Sequence, residues 1–180
     1  MLKIVTVKNP KQVKDFVMFP FKLYKDCKYW VPPIIKEEIE AMNTEKNPVF
    51  KNAEAEFYLA YDENDNIVGR IAAIVNWVEI TEQKKNKLRF GWYDTIDDVD
   101  VSKILIEKVL EFGKQRKLKF IEGPVGFSNM DKAGLLTYGY DELNTMITWY
   151  HYPYQKKHLL ELNLKQLAEW VEYKIKIFSE

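Results

Sequence analysis

Between residues 89 and 123 the sequence can be read as a strand, a helix and a second strand. Residues 89–93 (Arg-Phe-Gly-Trp-Tyr) favour a strand, and residues 101–117 place apolar side chains on one helical face. A second strand, residues 118–121, is closed by a Glu-Gly-Pro turn at 122–124. Two strands joined through a helix are normally parallel and adjacent. The sequence therefore predicts a sheet with a ligand site beyond the carboxyl ends of these two strands.

The remaining elements fit one mixed α/β (α+β) sheet with helices on both faces. Asn9-Pro10 starts a helix over about residues 11–16, which Pro20 interrupts and which resumes over residues 21–27. A second helix follows at 34–42. The clearest hairpin joins strands 57–61 and 67–75, and Gly69 within it indicates close backbone approach or a bulge. Further strands are predicted at residues 2–7, at 145–150 and from about residue 170, and a helix at 154–162 ends at Asn163. The total is six or seven strands.

The alternation of the strands and the stripe of the central helix predict a shared core. The residues expected to be buried in it are Phe57, Leu59, Ile71, Ile74, Leu105, Val109, Phe120 and Ile121.

Composition limits the classes of function. The 180 residues predict a single domain, residues 1–180, and the 27 basic and 27 acidic residues give no bulk charge for nucleic acid or an anionic membrane. The lone Cys27 fits a reducing compartment, and the chain shows no signal-peptide pattern and no apolar run long enough to span a bilayer. We therefore expect a cytoplasmic protein with no nucleic-acid and no membrane partner; its oligomeric state is left open.

Several segments together resemble the Gcn5-related N-acetyltransferase (GNAT) fold, and more narrowly an uncharacterised GNAT-like bacterial group. They are Phe-Tyr-Leu-Ala-Tyr at 57–61, Val-Gly-Arg-Ile-Ala-Ala at 68–73, Phe-Gly-Trp at 90–92, Asp-Asp at 97–98 and Gly-Pro-Val at 123–125. The resemblance covers roughly residues 4–177. It implies an acyltransferase that moves an acetyl group from acetyl-CoA, or another acyl group from its acyl-CoA, to a small-molecule amine.

The loop between the first strand and the helix departs from the family's pattern. GNAT enzymes carry a glycine-rich loop there, whose N–H groups cradle the pyrophosphate of the acyl donor. Residues 94–102 contain neither glycine nor arginine and hold four carboxylates. Carboxylates stabilise a helix start but repel phosphate. A helix cap alone explains the loop as well.

The resemblance also implies roles for individual residues. The cofactor-binding candidates are Trp92, Tyr93, Gly123, Pro124 and Asn129. The catalytic candidates are Asp94 or Glu122, which would accept the amine proton, and Tyr138, which would protonate the leaving thiolate. Asn129 can equally cap a short helix, and Tyr138 can be a half-buried aromatic residue.

No pattern of paired His or Cys predicts a metal site. The aromatic run 149–154 either lines a pocket or packs a connection, and its His151 has a proton affinity suited to acid–base chemistry. Three functions stay open: an acyl-CoA-dependent N-acyltransferase, a non-catalytic GNAT-fold module that binds a ligand or partner, and a transferase using another acyl donor such as an aminoacyl-tRNA.

Overall fold

The computed structural model describes residues 1–128, 130–145 and 148–177. Its strands are β1 (Lys3–Thr6), β2 (Ala53–Tyr61), β3 (Ile67–Asn76), β4 (Lys87–Thr95) and β5 (Phe120–Glu122). Its α-helices are α1 (Pro10–Leu23), α2 (Ile35–Ala41), α3 (Trp77–Thr81), α4 (Val99–Gln115) and α5 (Pro153–Glu161). A short 3-10 helix, Pro48–Lys51, precedes β2. No helix in the described part of the chain is long and apolar enough to cross a membrane.

The five strands form one mixed sheet in the order β1-β2-β3-β4-β5. The pairs β1–β2, β2–β3 and β3–β4 are antiparallel. The pair β4–β5 is parallel, with Lys87 to Arg89 paired to Phe120 to Glu122. Both the β2–β3 hairpin and the parallel strand–helix–strand unit predicted from the sequence are therefore confirmed.

Each face of the sheet carries a hydrophobic core. Helix α4 covers one face with the predicted stripe Val101, Leu105, Val109 and Phe112, all buried. Helix α1 covers the other face through Phe16 and Val17. Gly69 allows the close approach of α4, because an added Cβ would lie 2.9 Å from Leu105 and Val101 side-chain atoms.

The predicted six or seven strands are too many for the part of the chain that the structure describes. Residues 145 and 148–150 carry no strand, and residues 170–177 belong to no strand or helix, although their apolar and charged residues alternate. Met146 and Ile147 lie outside the described residues. A period of two is compatible with a strand, but a strand forms only where another backbone completes its ladder.

Helix α1 runs through Pro20, so the predicted interruption was wrong. Asn9 caps the helix by accepting the backbone N–H of Gln12 at 3.0 Å, and Pro10 occupies the first position, as predicted. A proline four residues after Phe16 leaves the Phe16 carbonyl without its helical donor. An Arg70 N–H donates to that carbonyl at 2.9 Å, so a residue of β3 replaces the missing bond.

The predicted core is confirmed for six of its members and wrong for Phe120, which is 52% exposed. Ile121 is intermediate and packs against the α4 core. Phe120 is the first residue of a three-residue edge strand, and its face of the sheet is not covered there. The alternation of a strand predicts two faces but does not decide which of them is covered.

Candidate active site at the end of the fourth strand

Strand β4 changes its geometry at Trp92 and Tyr93. Asp94 pairs with Arg70 of β3 and Gly91 pairs with Ala72, so three steps along β4 match two along β3. Trp92 has a φ of 47°, which marks the bulge. The bulge takes Trp92 and Tyr93 out of register with β3 and turns Asp94 towards the α1 face.

The ladder between β4 and β5 ends before the bulge. Their ladder ends at Arg89 and Glu122, and the next link is the Val125 N–H, which donates to the Phe90 carbonyl at 2.8 Å. The six remaining residues of β4 have no partner strand on this side among the described residues. The ladder therefore ends six residues before the carboxyl end of β4, near which the sequence placed the ligand site.

A buried ion pair lies at the bulge. Arg70 Nε donates to Asp94 Oδ2 at 2.7 Å, and the Tyr24 hydroxyl donates to Asp94 Oδ1 at 2.7 Å. The same hydroxyl lies 3.2 Å from Gln155 Oε1. Burial, and then the Asp94 charge, raise the pKa of Tyr24 well above its usual value, so the hydroxyl stays protonated. Asp94 is thus held by two donors from different elements.

A narrow pocket opens beside this ion pair. Its charged side chains are Glu38, Arg70, Asp94 and Lys132, and its walls include Tyr24, Trp30 and Trp149. The volume open to water centres is about 20 Å³, which is room for roughly one or two waters. Glu38 accepts the Trp92 indole N–H at 2.7 Å and so connects α2 to the bulge. The pocket combines two carboxylates and two cations within aromatic walls.

Lys132 differs from the other charged pocket residues in its lack of a direct ionic or hydrogen-bond partner for its side chain among the described residues. Its Nζ makes no ion pair with a carboxylate of the described residues, although Glu38 and Asp94 act on it from a distance. Burial lowers the pKa of Lys132, and the nearby Arg70 charge lowers it further, while the two carboxylates oppose this shift.

The carboxylates of the acidic loop before α4 make contacts that hold the loop in place. Asp98 caps the helix and accepts the Asp100 N–H at 2.9 Å, and Asp97 Oδ1 lies 3.2 Å from His158 Nε2. The Nδ1 atom of His158 is 2.9 Å from Ser102 Oγ. A helix amide that would face a phosphate is therefore already bonded by Asp98. The loop fits the diphosphate of an acyl-CoA poorly.

Residues 149–155 lie along the free edge of β4. The Tyr154 hydroxyl donates to the Thr95 carbonyl at 2.7 Å, and Gln155 Nε2 approaches the Tyr93 carbonyl at 3.5 Å. The Trp149 ring would lie 3.3 Å from a Cβ added at Gly91. The aromatic run therefore does both things that its sequence allowed: Trp149 lines the pocket, and its neighbours pack a connection.

His151 is buried in that connection and does not line the pocket. Its ring lies beside Tyr93, with centroids 6.5 Å apart. Within the described residues its Nδ1 has no hydrogen-bond partner. Burial lowers the pKa of His151 to about 4, so the ring is neutral at physiological pH.

The candidate cofactor-binding residues lie in different parts of the fold. Trp92 and Tyr93 form the bulge, and the Tyr93 hydroxyl donates to Ser102 Oγ at 2.8 Å on the α4 side. Gly123 packs against β4 so closely that an added Cβ would collide with the Phe90 carbonyl, and the Pro124 carbonyl accepts the Gly134 N–H at 2.7 Å. Asn129 lies outside the described residues.

The three candidate catalytic residues are not gathered together. Glu122 is paired with Lys87 Nζ at 2.8 Å and lies level with Arg89, five residues or roughly 16 Å along β4 from Asp94. Tyr138 is 87% exposed. Of the three, Asp94 alone lines the pocket. Across the described segments, no group of three or more His, Cys, Asp or Glu side chains is arranged to hold a metal ion.

Tyr24, Glu38 and Lys132 were not predicted from the sequence as site residues. Tyr24 follows α1, Glu38 lies in α2, and Lys132 lies in a loop, so no motif or spacing links them. A usable signal was the aromatic and proline run near Tyr24, which is typical of a packed wall.

No family model matches the chain. Two curated relatives do: a bacterial ceramide synthase of Caulobacter vibrioides is 29% identical over 143 residues, 78% of this chain and 36% of the relative. The Escherichia coli protein YghO is 28% identical over 171 residues, 93% of this chain and 43% of the relative. The chain thus spans about two fifths of the length of these relatives.

Two solved structures have a similar fold. A proposed acetyl transferase of Pyrococcus furiosus aligns over 97% of this chain and 100% of its own, with 14% identity and a TM-score of 0.56. A predicted acetyltransferase of Clostridium acetobutylicum, solved with acetyl-CoA, aligns over 97% of this chain and 96% of its own, with 13% identity and a TM-score of 0.57. At these identities the likeness concerns the fold.

Proposed function

We propose that this chain, which has the GNAT fold, is an N-acyltransferase that moves an acyl group from an acyl-CoA thioester to an amine. One observation carries the proposal: the bulge of β4 lies beyond the end of the β4–β5 ladder, and a polar pocket opens beside it. The structural neighbour solved with acetyl-CoA supports a thioester donor in this fold.

The reaction needs few groups from the protein. The amine nitrogen attacks the thioester carbonyl, the C–N bond forms, the C–S bond breaks, and the thiolate leaves with the bonding electrons. The backbone at Trp92 and Tyr93 is the proposed partner of the carbonyl oxygen, because a bulge frees strand N–H groups from the ladder. Asp94 and Arg70 hold that backbone in place.

An amine with a long apolar chain is the proposed acceptor. The curated relative is named a ceramide synthase, and a ceramide is the amide of a fatty acid and a long-chain amino alcohol. Beside the pocket residues Trp30, Pro33 and Glu38, four apolar side chains are 36–62% exposed: Val31, Ile34, Ile35 and Ile39. Exposed apolar residues next in sequence to pocket-lining residues suit a surface that binds an apolar ligand.

The pocket sets a size limit on what enters it. With about 20 Å³ open to water centres, it admits an amino group but not a chain. The chain of the amine would therefore lie outside, on the apolar surface formed by Val31, Ile34, Ile35 and Ile39.

A second candidate is a non-catalytic module with a degenerate donor site. It is favoured by the acidic loop, where Asp98 bonds a helix amide, and by residues 149–155, which occupy the edge of β4. In this case the fold binds a ligand or partner without turnover.

Thiol release distinguishes the two candidates. The chain is incubated with acetyl-CoA or palmitoyl-CoA and with either a short alkylamine or a long-chain 2-amino alcohol, and free thiol and amide are measured. Amide formation that is faster with the long-chain amine supports the acyltransferase. Calorimetric binding of the acyl-CoA without amide formation supports the module. If the chain neither binds the acyl-CoA nor forms an amide, both candidate functions are wrong.

The apolar surface has its own matched variants. Ile34→Ser and Ile39→Ser should raise KM for the long-chain amine and leave KM for the short one unchanged. Exposed Leu160, 53% accessible and on α5, gives the control Leu160→Ser. An equal rise in KM for both amines would contradict the proposed position of the amine's apolar chain.

A further inference from the structure

We propose that Lys132 is the general base of this reaction and takes the proton from the attacking amine at its Nζ atom. The proposal rests on the proposed function and names a residue that neither the sequence motifs nor the comparisons single out. It follows from the position of Lys132 in the pocket, its lack of a direct ion pair and the rigidity of its backbone.

The backbone of Lys132 is held by an extension of the sheet. Val125 bonds to Phe90 of β4, and it forms an antiparallel bridge with Ala133. The Gly126 N–H donates to the Lys132 carbonyl at 3.1 Å, and the Gly134 N–H donates to the Pro124 carbonyl at 2.7 Å. Lys132 is therefore fixed two strand spacings, roughly 10 Å, from β4. A fixed backbone limits the positions that its amine can take within the pocket.

The other charged pocket residues are already engaged. Asp94 accepts two hydrogen bonds, from Arg70 and Tyr24, and Glu38 accepts one from Trp92. Lys132 has no ion pair of this kind among the described residues. Half-buried lysines without a carboxylate partner are uncommon, because removing an ammonium group from water is costly. Such a lysine can lose its proton and act as a base.

Several titratable and charged groups surround Lys132. Glu38 on α2, Arg70 on β3 and Asp94 on β4 act on it, and Tyr24 after α1 and Tyr150 line the same pocket. Burial and Arg70 favour the neutral amine, and Glu38 and Asp94 favour the ammonium form. Both tyrosine hydroxyls stay protonated, because burial raises the pKa of each of them.

Each proton that moves in this step has a donor and an acceptor. Neutral Lys132 takes one proton from the nitrogen of the substrate as the C–N bond forms and the C–S bond breaks. The ammonium of Lys132 then returns this proton to solvent, and the departing thiolate gains one from solvent.

The first test measures Lys132 without any substrate. Trace labelling of lysines with acetic anhydride across a pH series, read by mass spectrometry, gives a midpoint for Lys132 and for the exposed Lys119 and Lys165. We expect a lower midpoint for Lys132, and a further fall in the Glu38→Gln variant, because Glu38 favours the charged form. A midpoint equal to those of Lys119 and Lys165 would overturn the proposal.

The second test measures turnover. Lys132→Met should lower kcat/KM by about 10²- to 10⁴-fold, as loss of a general base does, with the KM for acyl-CoA unchanged and the acidic limb of the pH–rate profile removed. Lys119→Met is the matched control. A Lys132→Cys variant in a Cys27→Ser background, alkylated to aminoethyl-cysteine, should restore turnover with the acidic limb moved to lower pH, because that amine is less basic.

The outcomes separate this proposal from the proposed function. If the wild type forms amide and Lys132→Met forms it equally fast with the same pH profile, Lys132 is not the base and the acyltransferase function stands. If the wild type forms no amide from any amine, the proposed function fails, and the role of Lys132 fails with it. If the acyl group stays on Lys132 itself, the residue is a nucleophile, and the general-base assignment is wrong.

Discussion

The ion pair between Arg70 and Asp94 offers a quantitative test of how the bulge is held. Both side chains are almost fully buried, with 4% and 8% of their surface exposed. Arg70 also donates to the Phe16 carbonyl at 2.9 Å, the group that Pro20 leaves without a helical donor. Arg70→Met removes both interactions at nearly constant apolar volume, and Asp94 keeps only the hydrogen bond from Tyr24.

The expected loss follows from the two groups that Arg70→Met leaves behind. Removing one member of a buried ion pair typically costs about 3–5 kcal/mol, because the remaining charge is uncompensated. An unsatisfied buried carbonyl adds roughly 1–3 kcal/mol where it finds no water. We therefore expect Arg70→Met to lower the free energy of unfolding by about 4–8 kcal/mol.

A double-mutant cycle isolates the pair. Asp94→Asn leaves Arg70 charged, and the double variant Arg70→Met/Asp94→Asn removes both charges. The double variant should be more stable than the sum of the single losses predicts, with a coupling energy of about 2 kcal/mol or more. Urea denaturation followed by tryptophan fluorescence measures each free energy. The exposed pair Lys11 and Asp15, 2.8 Å apart, is the control and should couple by less than about 0.5 kcal/mol.

Two results would refute this reasoning. A loss below about 1 kcal/mol for Arg70→Met would show that the bulge does not depend on the pair. A cycle that is additive within about 0.5 kcal/mol would show that Arg70 and Asp94 act separately.

Three further predictions concern the core, acid stability and donor binding. Leu105→Ala should destabilise the chain by about 3–4 kcal/mol, since three buried carbons contribute roughly 2.4 kcal/mol of transfer energy and a cavity adds to this; a loss below about 0.5 kcal/mol in urea denaturation would mean that α4 faces otherwise. The pKa of His151 falls from 6.5 to about 4 on folding, so between these pH values the unfolded chain binds the extra proton. Stability should therefore be full above pH 6.5 and decrease by up to about 3 kcal/mol towards pH 4, and His151→Phe should flatten this slope in denaturation curves at several pH values. Acetyl-CoA should bind weakly, and Asp97→Asn/Asp98→Asn should tighten binding, less so at high salt, because Asn still caps the helix while two charges are removed. Calorimetric titration with acetyl-CoA checks this, with the double variant Glu45→Gln/Glu63→Gln as the control. Micromolar affinity of the wild type for acetyl-CoA would contradict the prediction that the loop carboxylates repel its phosphates.

Local patterns predicted much of the fold. The cap at Asn9, the stripe of α4, the β2–β3 hairpin and the parallel pairing of β4 with β5 each depend on residues close in sequence or on one short crossover. The stop of α5 just before Asn163, whose φ is 63°, is also local, since asparagine tolerates that conformation.

The candidate site depended far less on local patterns. The sequence placed Trp92, Tyr93 and Asp94 at the end of a strand, and the structure brings them to the bulge. It could not place Glu122, because its pairing with Lys87 depends on the register between strands.

The sequence by itself determined the β2–β3 hairpin, the parallel unit of β4, α4 and β5, and the acidic character of the loop before α4, because these follow from periodicity, capping and residue type. Only the tertiary structure decided which groups meet at the pocket: Tyr24, Glu38 and Lys132 come from three separate segments around β4. It also decided that residues 170–177 remain unpaired, although they alternate like a strand. The physical reason is the same in both cases. A ladder or a pocket needs partners that are distant in sequence, and only the folded chain brings them together.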